Sequence, residues 1–326
     1  LGTVFQVNST TPAGSPFPSV ASDDSGNFVV VWLGATADGV TGQRYSSAGA
    51  PLGGEFLVNS STTSDLYTVA AVARAGTGQF VVVWERGGDI YGRRFAGSGG
   101  PQGGEFKINT VTNGMANAAS VAVSTGGFVA VWQNVVSGGS NVKARLYDSA
   151  GAPQTAEFRV NTYTTGYQHH PAVGMDGGGG FVVVWESALV SNGSGGIMAQ
   201  RYTSAGSPLG SEFRVQKGNQ EGNFPAIAVN GFGSFVVTWD GFDGNAVGVS
   251  GRFFCAALAG DFDNSTSIDV ADVFYLINHL FAGGPPLALG SGDVSGDGLV
   301  DVADVFYLIN YLFAGGPGPA CKPPPI

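Results

Sequence analysis

One pentapeptide recurs along the first 255 residues and restricts the fold more than any other feature of the chain. Residues 28–32 read FVVVW, and close copies stand at 80–84, 128–132, 181–185 and 235–239. Each copy ends in one of the five tryptophans, so the chain contains an internal repeat of about fifty residues. A period of this length is typical of propeller blades and other repeat arrays.

Three further stretches recur around the pentapeptide, so each unit supplies four short strands separated by glycine-rich turns, the make-up of a propeller blade. In the first unit these stretches are residues 18–21 (PSVA), 43–45 (QRY) and 56–59 (FLVN). The chain also begins with a spare FxVN stretch, whereas the last unit lacks one after residues 251–254. We therefore predict an all-β fold, a five-bladed β-propeller over residues 1–255, in which strand 3–8 closes the last blade and removes its exposed edge.

The tryptophan strand is apolar on both faces, as expected of a strand buried between neighbouring blades. The tryptophans are therefore predicted to be core residues, and a ring of aromatic platforms for sugars is the alternative. A glutamate precedes four of the FxVN stretches, and an arginine recurs near the end of the preceding strand. These glutamates and arginines predict one cross-strand ion pair per blade, and the alternative is a repeated anion-binding ring. These residues are Glu55, Glu105, Glu157 and Glu212, and Arg44, Arg94, Arg145, Arg201 and Arg252.

The negative charge of the chain is concentrated near its C-terminal end. Of the 24 acidic residues, eight lie in residues 256–326, beside a single lysine. A pattern occurs twice there, as GDFDNSTSIDVADVFYLINHLF from residue 260 and as GDVSGDGLVDVADVFYLINYLF from residue 292. In both copies the apolar residues recur at helical spacing and Gly-Gly-Pro follows, which predicts a helix that ends at the glycines.

The loop before each predicted helix carries oxygen donors at the spacing of an EF-hand calcium loop. All eight carboxylates of the tail stand at ligand positions, so we predict two Ca²⁺ ions. Because crowded carboxylates repel one another, metal binding and folding should be coupled. The predicted ligands are Asp261, Asp263, Ser265, the Ser267 carbonyl, Asp269 and Asp272 in the first loop, and Asp293, Ser295, Asp297, the Leu299 carbonyl, Asp301 and Asp304 in the second.

This duplicated loop and helix resembles the type I dockerin family over residues 260–318, in which loop position 12 holds Asp instead of the usual Glu. The resemblance implies a small α-helical domain, here residues 256–326, that is folded by calcium and binds cohesin domains. Positions 10 and 11 of each loop commonly contribute to recognition in the family. Here they are the apolar residues Val270, Ala271, Val302 and Ala303. The expected partner is a cohesin-like domain or another copy of the chain.

Two cysteines flank the acidic tail. Cys255 and Cys321 are predicted to form a disulfide, and the alternative is two unrelated buried thiols. Four N-x-Ser/Thr sequons mark the places where glycosylation would be expected, and they begin at Asn8, Asn59, Asn192 and Asn264.

An adjacent histidine pair breaks the symmetry of the repeats. His169 and His170 could ligate a metal ion, but the sequence shows no third ligand near them. A solvated loop or an ordinary hydrogen-bonding role is therefore the favoured interpretation.

Composition excludes several classes of function. No basic patch is concentrated enough for nucleic acid, and no apolar run reaches the roughly 18 residues of a membrane span. The chain starts at Leu1 with neither a methionine nor a signal-like apolar segment, as expected of a mature secreted protein at the cell surface or beyond it.

The uniform repeats favour a non-enzymatic extracellular assembly protein, not an enzyme. In this interpretation the dockerin-like module joins the propeller to a protein partner, or copy to copy in a filament or surface layer. A glycosidase needs a pair of carboxylates, and the acidic residues of the propeller stand at repeated or scattered positions. The alternatives are a secreted carbohydrate-binding or adhesive propeller, with glycans as partners, and a glycoside hydrolase that carries a dockerin.

Overall fold

The structure is a computed structural model. It describes residues 4–9, 17–34, 39–60, 66–111, 114–188, 196–216, 222–231, 233–242, 247–254, 262, 268–284, 294–295 and 299–317. The chain forms two compact units, one of residues 1–227 and 237–250 and the other of residues 228–236 and 251–326.

The strands form five sheets that follow one another along the chain, and these sheets are the blades of a five-bladed β-propeller. Four blades have four strands each and, within the described residues, the fifth has three. In chain order the strands are β1 (Ser19–Ser22), β2 (Phe28–Leu33), β3 (Val40–Tyr45) and β4 (Phe56–Leu57); β5 (Leu66–Arg74), β6 (Phe80–Arg86), β7 (Asp89–Phe95) and β8 (Phe106–Lys107); β9 (Met115–Val123), β10 (Gly127–Val136), β11 (Gly139–Asp148) and β12 (Phe158–Arg159); β13 (Gln168–Met175), β14 (Phe181–Ser187), β15 (Gly196–Tyr202) and β16 (Pro208–Arg214); and β17 (Asn223–Val229), β18 (Phe235–Phe242) and β19 (Val247–Phe254).

The tryptophan strand is the second strand of each blade and lies inside its sheet. All five tryptophans are at most 8% exposed, so they are core residues and not platforms for sugars. The phenylalanine that opens this strand stacks on the aromatic residue directly opposite it on the third strand. Phe80 and Phe95, for example, have ring centroids 4.9 Å apart and planes 5° from parallel. Stacked pairs of this kind recur in all five blades.

Neighbouring blades are joined by the glutamate that stands directly before the phenylalanine of the fourth strand. Glu105 of blade two accepts hydrogen bonds from the backbone N–H and the hydroxyl of Ser60, which follows the fourth strand of blade one. Glu157 and Glu212 make the same backbone contact, to Thr110 and Thr162. The predicted ion pairs of these glutamates with Arg44, Arg94 and Arg145 are therefore wrong, and Glu105 instead forms an ion pair with Arg86 at 2.9 Å. Arg44 and Arg94 donate instead to the carbonyls of Gly97 and Ser149 in the next blade, because their long side chains span the gap between blades.

The N-terminal segment contacts blade one as a fourth strand contacts the blade after it. The Tyr45 hydroxyl donates to the carbonyl of Val7 at 2.8 Å, as the Tyr147 hydroxyl donates to that of Ile108. Ser9 N–H donates to Glu55, the counterpart of the contact between Ser60 and Glu105. The closure of the fifth blade by residues 3–8 stays a prediction, and so does the domain boundary at residue 255.

A nearly buried ion pair also links blades one and two, and its loss should be measurable. Asp23 lies 2.8 Å from Arg74, and both side chains are almost fully buried. Burial acts to raise the pKa of Asp23, but hydrogen bonds from Asn27 and the charge of Arg74 outweigh it and hold that pKa below its usual value. Asp23→Ala should cost about 3 kcal/mol, because it leaves the Arg74 charge buried and unpaired.

Chemical denaturation at several pH values tests this expectation. Because the pKa is lowered on folding, the contribution of Asp23 is complete above about pH 4, the ordinary carboxyl value, and fades as the pH falls through the lowered pKa. The difference in the free energy of unfolding between the wild-type chain and Asp23→Ala should therefore shrink as the pH falls. The neighbouring exposed residue offers a control, since Asp24→Ala should change stability by less than about 0.5 kcal/mol. Equal losses for the two variants would contradict the buried ion pair.

The C-terminal unit contains two helices, α1 (Val270–Ala282) and α2 (Val302–Ala314), which confirm the helices that the repeated pattern predicts. Each begins at an aspartate N-cap and ends at a glycine in the left-handed conformation, Gly283 or Gly315. They pack around a small core that includes Phe262, Leu276 and Leu308. Neither helix is long and apolar enough to cross a membrane.

Candidate functional site

The main cavity of interest lies among the first strands of the blades. These strands pack against one another around the propeller axis, β1 with β5, β5 with β9 and β9 with β13. A pocket of about 760 Å³ opens there, between blades two, three, four and five. The residues that give it chemistry are Glu85, Asn117, Gln133, His170 and Phe224. We call it the central pocket.

A break in the strand register shapes the central pocket. The pairing of the first two strands shifts at the same point in blades two, three and four. In the first strands of blades three, four and five, Ala118, His170 and Phe224 adopt left-handed backbone angles, with φ of 50°, 48° and 48°. Such angles are uncommon for residues other than glycine and strained for bulky ones, and they cluster at functional sites. All three residues line the pocket, so each of these three blades contributes a different side chain from its strained position.

The residue after each tryptophan varies among the blades in the same region. It is Leu33, Glu85, Gln133, Glu186 or Asp240. Glu85 and Gln133 are buried and line the pocket, and one carboxylate oxygen of Asp240 is buried without a hydrogen-bond partner among the described residues. The backbone is therefore similar from blade to blade, whereas the side chains near the axis differ.

Blade four brings two imidazoles and a carboxylate together. His170 Nδ1 lies 3.0 Å from Glu186 Oε2, and His169 Nε2 lies 3.6 Å from Glu186 Oε1. The two rings stack with centroids 5.2 Å apart and planes 9° from parallel. Glu186 is the third group that the sequence did not reveal, because it lies on β14, 16 residues beyond His170. Its place directly after Trp185 was the signal that could have found it.

Burial and charge set the protonation of this cluster. Burial lowers the pKa of His169, and the Glu186 carboxylate offsets only part of that effect. Burial acts to raise the pKa of Glu186, but the hydrogen bond from His170 and the nearby imidazoles outweigh it, so that pKa is lowered. At neutral pH the cluster therefore offers a carboxylate and a neutral His169.

The described part of the calcium loops shows how the position-12 aspartates are held. Asp272 and Asp304 are both 0% exposed. Each accepts a hydrogen bond at 2.9 Å from the backbone N–H of the helix N-cap, Asp269 or Asp301. Buried carboxylates need hydrogen bonds or a cation, and carboxylate, hydroxyl and carbonyl oxygens are the donors that Ca²⁺ prefers. The donor set therefore fits calcium.

The remaining predicted sites are only partly described. Ser295, Leu299, Asp301 and Asp304 are described in the second loop, and Asp269 and Asp272 in the first. Asn59 is buried, and its side-chain oxygen accepts a hydrogen bond from Val40 N–H, so it lies inside the blade and not at the surface. Asn8 is half-buried. The predicted sites outside the described residues are Asp261, Asp263, Ser265, Ser267, Asp293, Asp297, Cys255, Cys321, Asn192 and Asn264.

The predicted recognition residues lie at the exposed start of each helix. Val270 and Val302 are about half exposed, and Ala271 and Ala303 are exposed beside them. The helices also expose four phenylalanines, each 65 to 70% accessible, that the sequence analysis did not single out. They are Phe274, Phe281, Phe306 and Phe313.

Comparison with protein families identifies the C-terminal segment. Residues 259–313 match the model of the dockerin type I domain, so this segment is a dockerin domain, a module that binds calcium and serves protein–protein assembly. No curated protein shows significant sequence similarity to the chain.

Solved structures resemble the propeller at low identity. An endo-arabinase from Bacteroides thetaiotaomicron is 10% identical, with a TM-score of 0.46 over 76% of this chain and 97% of its own. The Aleuria aurantia lectin AAL is 11% identical, with a TM-score of 0.46 over 74% and 80%. The catalytic domain of a GH62 α-L-arabinofuranosidase from Coprinopsis cinerea is 11% identical, with a TM-score of 0.41 over 76% and 93%.

These findings correct the expectation that the chain is not an enzyme. Glycoside hydrolases are among the solved structures that resemble the propeller, arabinanases and arabinofuranosidases included. The expectation depended on the regularity of the repeats, and that premise fails in the structure. The central pocket gathers different polar groups from several blades, which an alignment of the repeats does not show.

Proposed function

We propose that the chain is a secreted glycoside hydrolase that carries a dockerin domain, and that the central pocket is where it binds and cleaves a saccharide. The observation that carries the proposal is the set of unlike polar and aromatic side chains that blades two to five place around this pocket. A concave site with a few convergent polar groups is the usual form of a small-ligand site.

The wall of the pocket suits a sugar. Phe224 is 65% exposed and lines the pocket, so its ring is available for stacking on the apolar face of a pyranose or furanose. Asn117 lines the same pocket, and its side-chain oxygen has no hydrogen-bond partner among the described residues. A sugar hydroxyl is a donor that would satisfy it, because buried polar atoms rarely lack partners.

Two carboxyl groups are assigned to the chemistry. Glycosidic cleavage uses one carboxyl as the acid and another as the base or nucleophile, about 5 to 10 Å apart. Glu85 is the carboxyl that lines the pocket. Asp240 occupies the equivalent position in blade five and has one buried oxygen without a partner among the described residues. We assign Glu85 and Asp240 as the pair and expect Glu85 to touch the scissile linkage.

The test is turnover of a panel of plant polysaccharides, arabinans and arabinoxylans included. Glu85→Gln keeps the size of the side chain and removes the carboxyl, so it should lower kcat by about 10²- to 10⁴-fold while the chain stays folded. Asp24→Asn, an exposed carboxylate elsewhere in the propeller, is the matched control and should leave kcat unchanged. Equal activity of Glu85→Gln and the wild-type chain would refute this assignment.

Binding of carbohydrate without cleavage is the second candidate. The exposed ring of Phe224 favours it, since stacking alone holds sugars in many binding sites. Phe224→Ala should then weaken glycan binding in a chain that shows no turnover of any substrate.

A duplicated apolar face on the dockerin domain is proposed as its partner-binding surface. On α1, Val270, Phe274 and Phe281 are exposed and lie on one side, because spacings of four and eleven residues return to the same face of a helix. On α2, Val302, Phe306 and Phe313 repeat the arrangement. Exposed apolar patches of this kind mark interaction surfaces. Together with Ala271 and Ala303, this surface suits a cohesin-like domain or a second copy of the chain.

Replacement of Phe274 and Phe306 by serine together should weaken partner binding at least 100-fold, since buried aromatic anchors dominate interfaces. Calorimetry with a type I cohesin domain measures binding to the first partner. Sedimentation of the chain alone measures binding to a second copy. Leu57→Ser, an exposed residue of the propeller, is the control. Undiminished binding to either partner after both replacements would move the interface elsewhere.

Three further proposals accompany this function. The two loops hold two Ca²⁺ ions, one each, as their matching donor sets suggest. Cys255 and Cys321 form a disulfide that brackets the dockerin domain. The chain works outside the cell or at its surface, where dockerin-borne hydrolases meet their substrates.

A further inference from the structure

We propose that His169, His170 and Glu186 form a site for a divalent transition-metal ion, Zn²⁺ first of all, at the wall of the central pocket. This site is separate from the calcium loops, and it does not depend on whether the pocket hydrolyses sugars.

The geometry of the three side chains matches a metal shell. One ligand atom from each residue can be chosen so that all three lie within 4.8 Å of one another. His170 Nδ1 lies 3.0 Å from one oxygen of Glu186, and His169 Nε2 lies 3.6 Å from the other. Ligands at about 2.05 Å around a tetrahedral Zn²⁺ stand roughly 3.3 Å apart. Because the ligand atoms lie no more than 4.8 Å apart, side-chain shifts on the order of 1 Å would place the three groups around one ion.

One nitrogen of the cluster has no satisfactory partner without an ion. His169 Nε2 is buried and makes no hydrogen bond among the described residues, since its 3.6 Å distance to Glu186 is too long for one. A buried polar atom without a partner costs free energy, and coordination would remove that cost. His170 is held in the left-handed conformation next to it, and His170 Nδ1 faces the same carboxylate.

The other blades show that the cluster is not a consequence of the repeat. The cross-strand pair His169–Glu186 corresponds to Asn117–Gln133 in blade three and to Thr68–Glu85 in blade two. Only blade four combines imidazoles with a carboxylate at these positions. The backbone bulge is common to blades two, three and four, whereas only blade four carries the ligand side chains.

The donor set selects the kind of metal. Two imidazole nitrogens and one carboxylate suit Zn²⁺ and its neighbours, whereas Ca²⁺ and Mg²⁺ prefer oxygen donors alone. Three protein ligands leave a fourth position for water or for a ligand oxygen. Since His170 lines the central pocket, that position is expected to face it.

The experiment uses the full chain saturated with Ca²⁺, so that the dockerin loops are filled. Zn²⁺ is titrated by calorimetry, and Co²⁺ is used as a spectroscopic probe of a site with nitrogen ligands. We expect one equivalent of Zn²⁺ to bind to the wild-type chain. His169→Gln and Glu186→Gln should each weaken that binding at least 100-fold.

The third histidine of the chain gives the matched control. His279→Gln, in α1, should leave Zn²⁺ binding unchanged. His170→Asn is a second test of the site, because asparagine tolerates the left-handed backbone and removes only the imidazole. Circular dichroism checks that each variant is folded. A wild-type chain that binds no Zn²⁺, or binding that survives His169→Gln and His170→Asn, would overturn the proposal.

Discussion

Removal of calcium is expected to unfold α1 and α2 and to leave the five blades folded. Asp272 and Asp304 are fully buried carboxylates at the starts of the two helices, and the predicted ligand sets place eight aspartates in two short loops. Without a cation these charges repel one another, and the six-residue core around Leu276 and Leu308 is too small to compensate.

Far-UV circular dichroism with chelator measures this effect. The helical signal of the two 13-residue helices should disappear and return on addition of Ca²⁺, while the near-UV signal of the tryptophans stays constant. Asp304→Ala should reproduce the loss in the second helix, whereas Asp24→Ala in the propeller should not. A helical signal that is insensitive to chelator would show that metal does not hold this domain together.

Replacement of Trp185 by alanine is expected to destabilise the propeller by about 4 kcal/mol. The side chain is 0% exposed in the core of blade four, and its ring N–H donates to the side-chain oxygen of Gln168 at 3.1 Å. Alanine would leave a cavity and an unpaired buried amide, and both cost free energy.

Denaturation of the calcium-loaded chain, followed by intrinsic fluorescence of the remaining tryptophans, gives the change in the midpoint. Leu57→Ala is the apolar control, since Leu57 is exposed on β4 and should contribute less than about 0.5 kcal/mol. A loss for Trp185→Ala no greater than that of the control would mean that the tryptophan strands are not the core of the blades.

The backbone of each blade could be predicted from the sequence because the repeat exposes it five times. The period and the turns between strands are local features, and the continuous apolar run at residues 28–32 indicates which strand is buried inside the sheet. The two helices were predictable for the same reason, since the glycines at 283 and 315 mark their ends.

The alignment of the repeats did not predict the contacts between blades. Arg44 stands near Glu55 in the repeat pattern, yet its guanidinium reaches the carbonyl of Gly97 in the next blade. The length of an arginine side chain and the spacing of the blades decide this contact, and neither is visible in a strand pattern.

The central pocket was missed for a related reason. Glu186 and His170 are separated along the chain and meet only because a bulge shifts the register of β13 against β14. Phe224 stands at the same repeat position as His170, but only the left-handed backbone at that position explains why both line the pocket. A repeat pattern indicates the position of a side chain within its own blade. It does not indicate which side chains of other blades lie near it.

The most direct test of the proposed function is a crystal structure of the Glu85→Gln variant soaked with an oligosaccharide that the wild-type chain degrades. The account predicts sugar density in the central pocket, with one ring stacked on Phe224 and a glycosidic oxygen within hydrogen-bond distance of residue 85. Sugar bound only on another surface, with the central pocket free of it, would contradict the account.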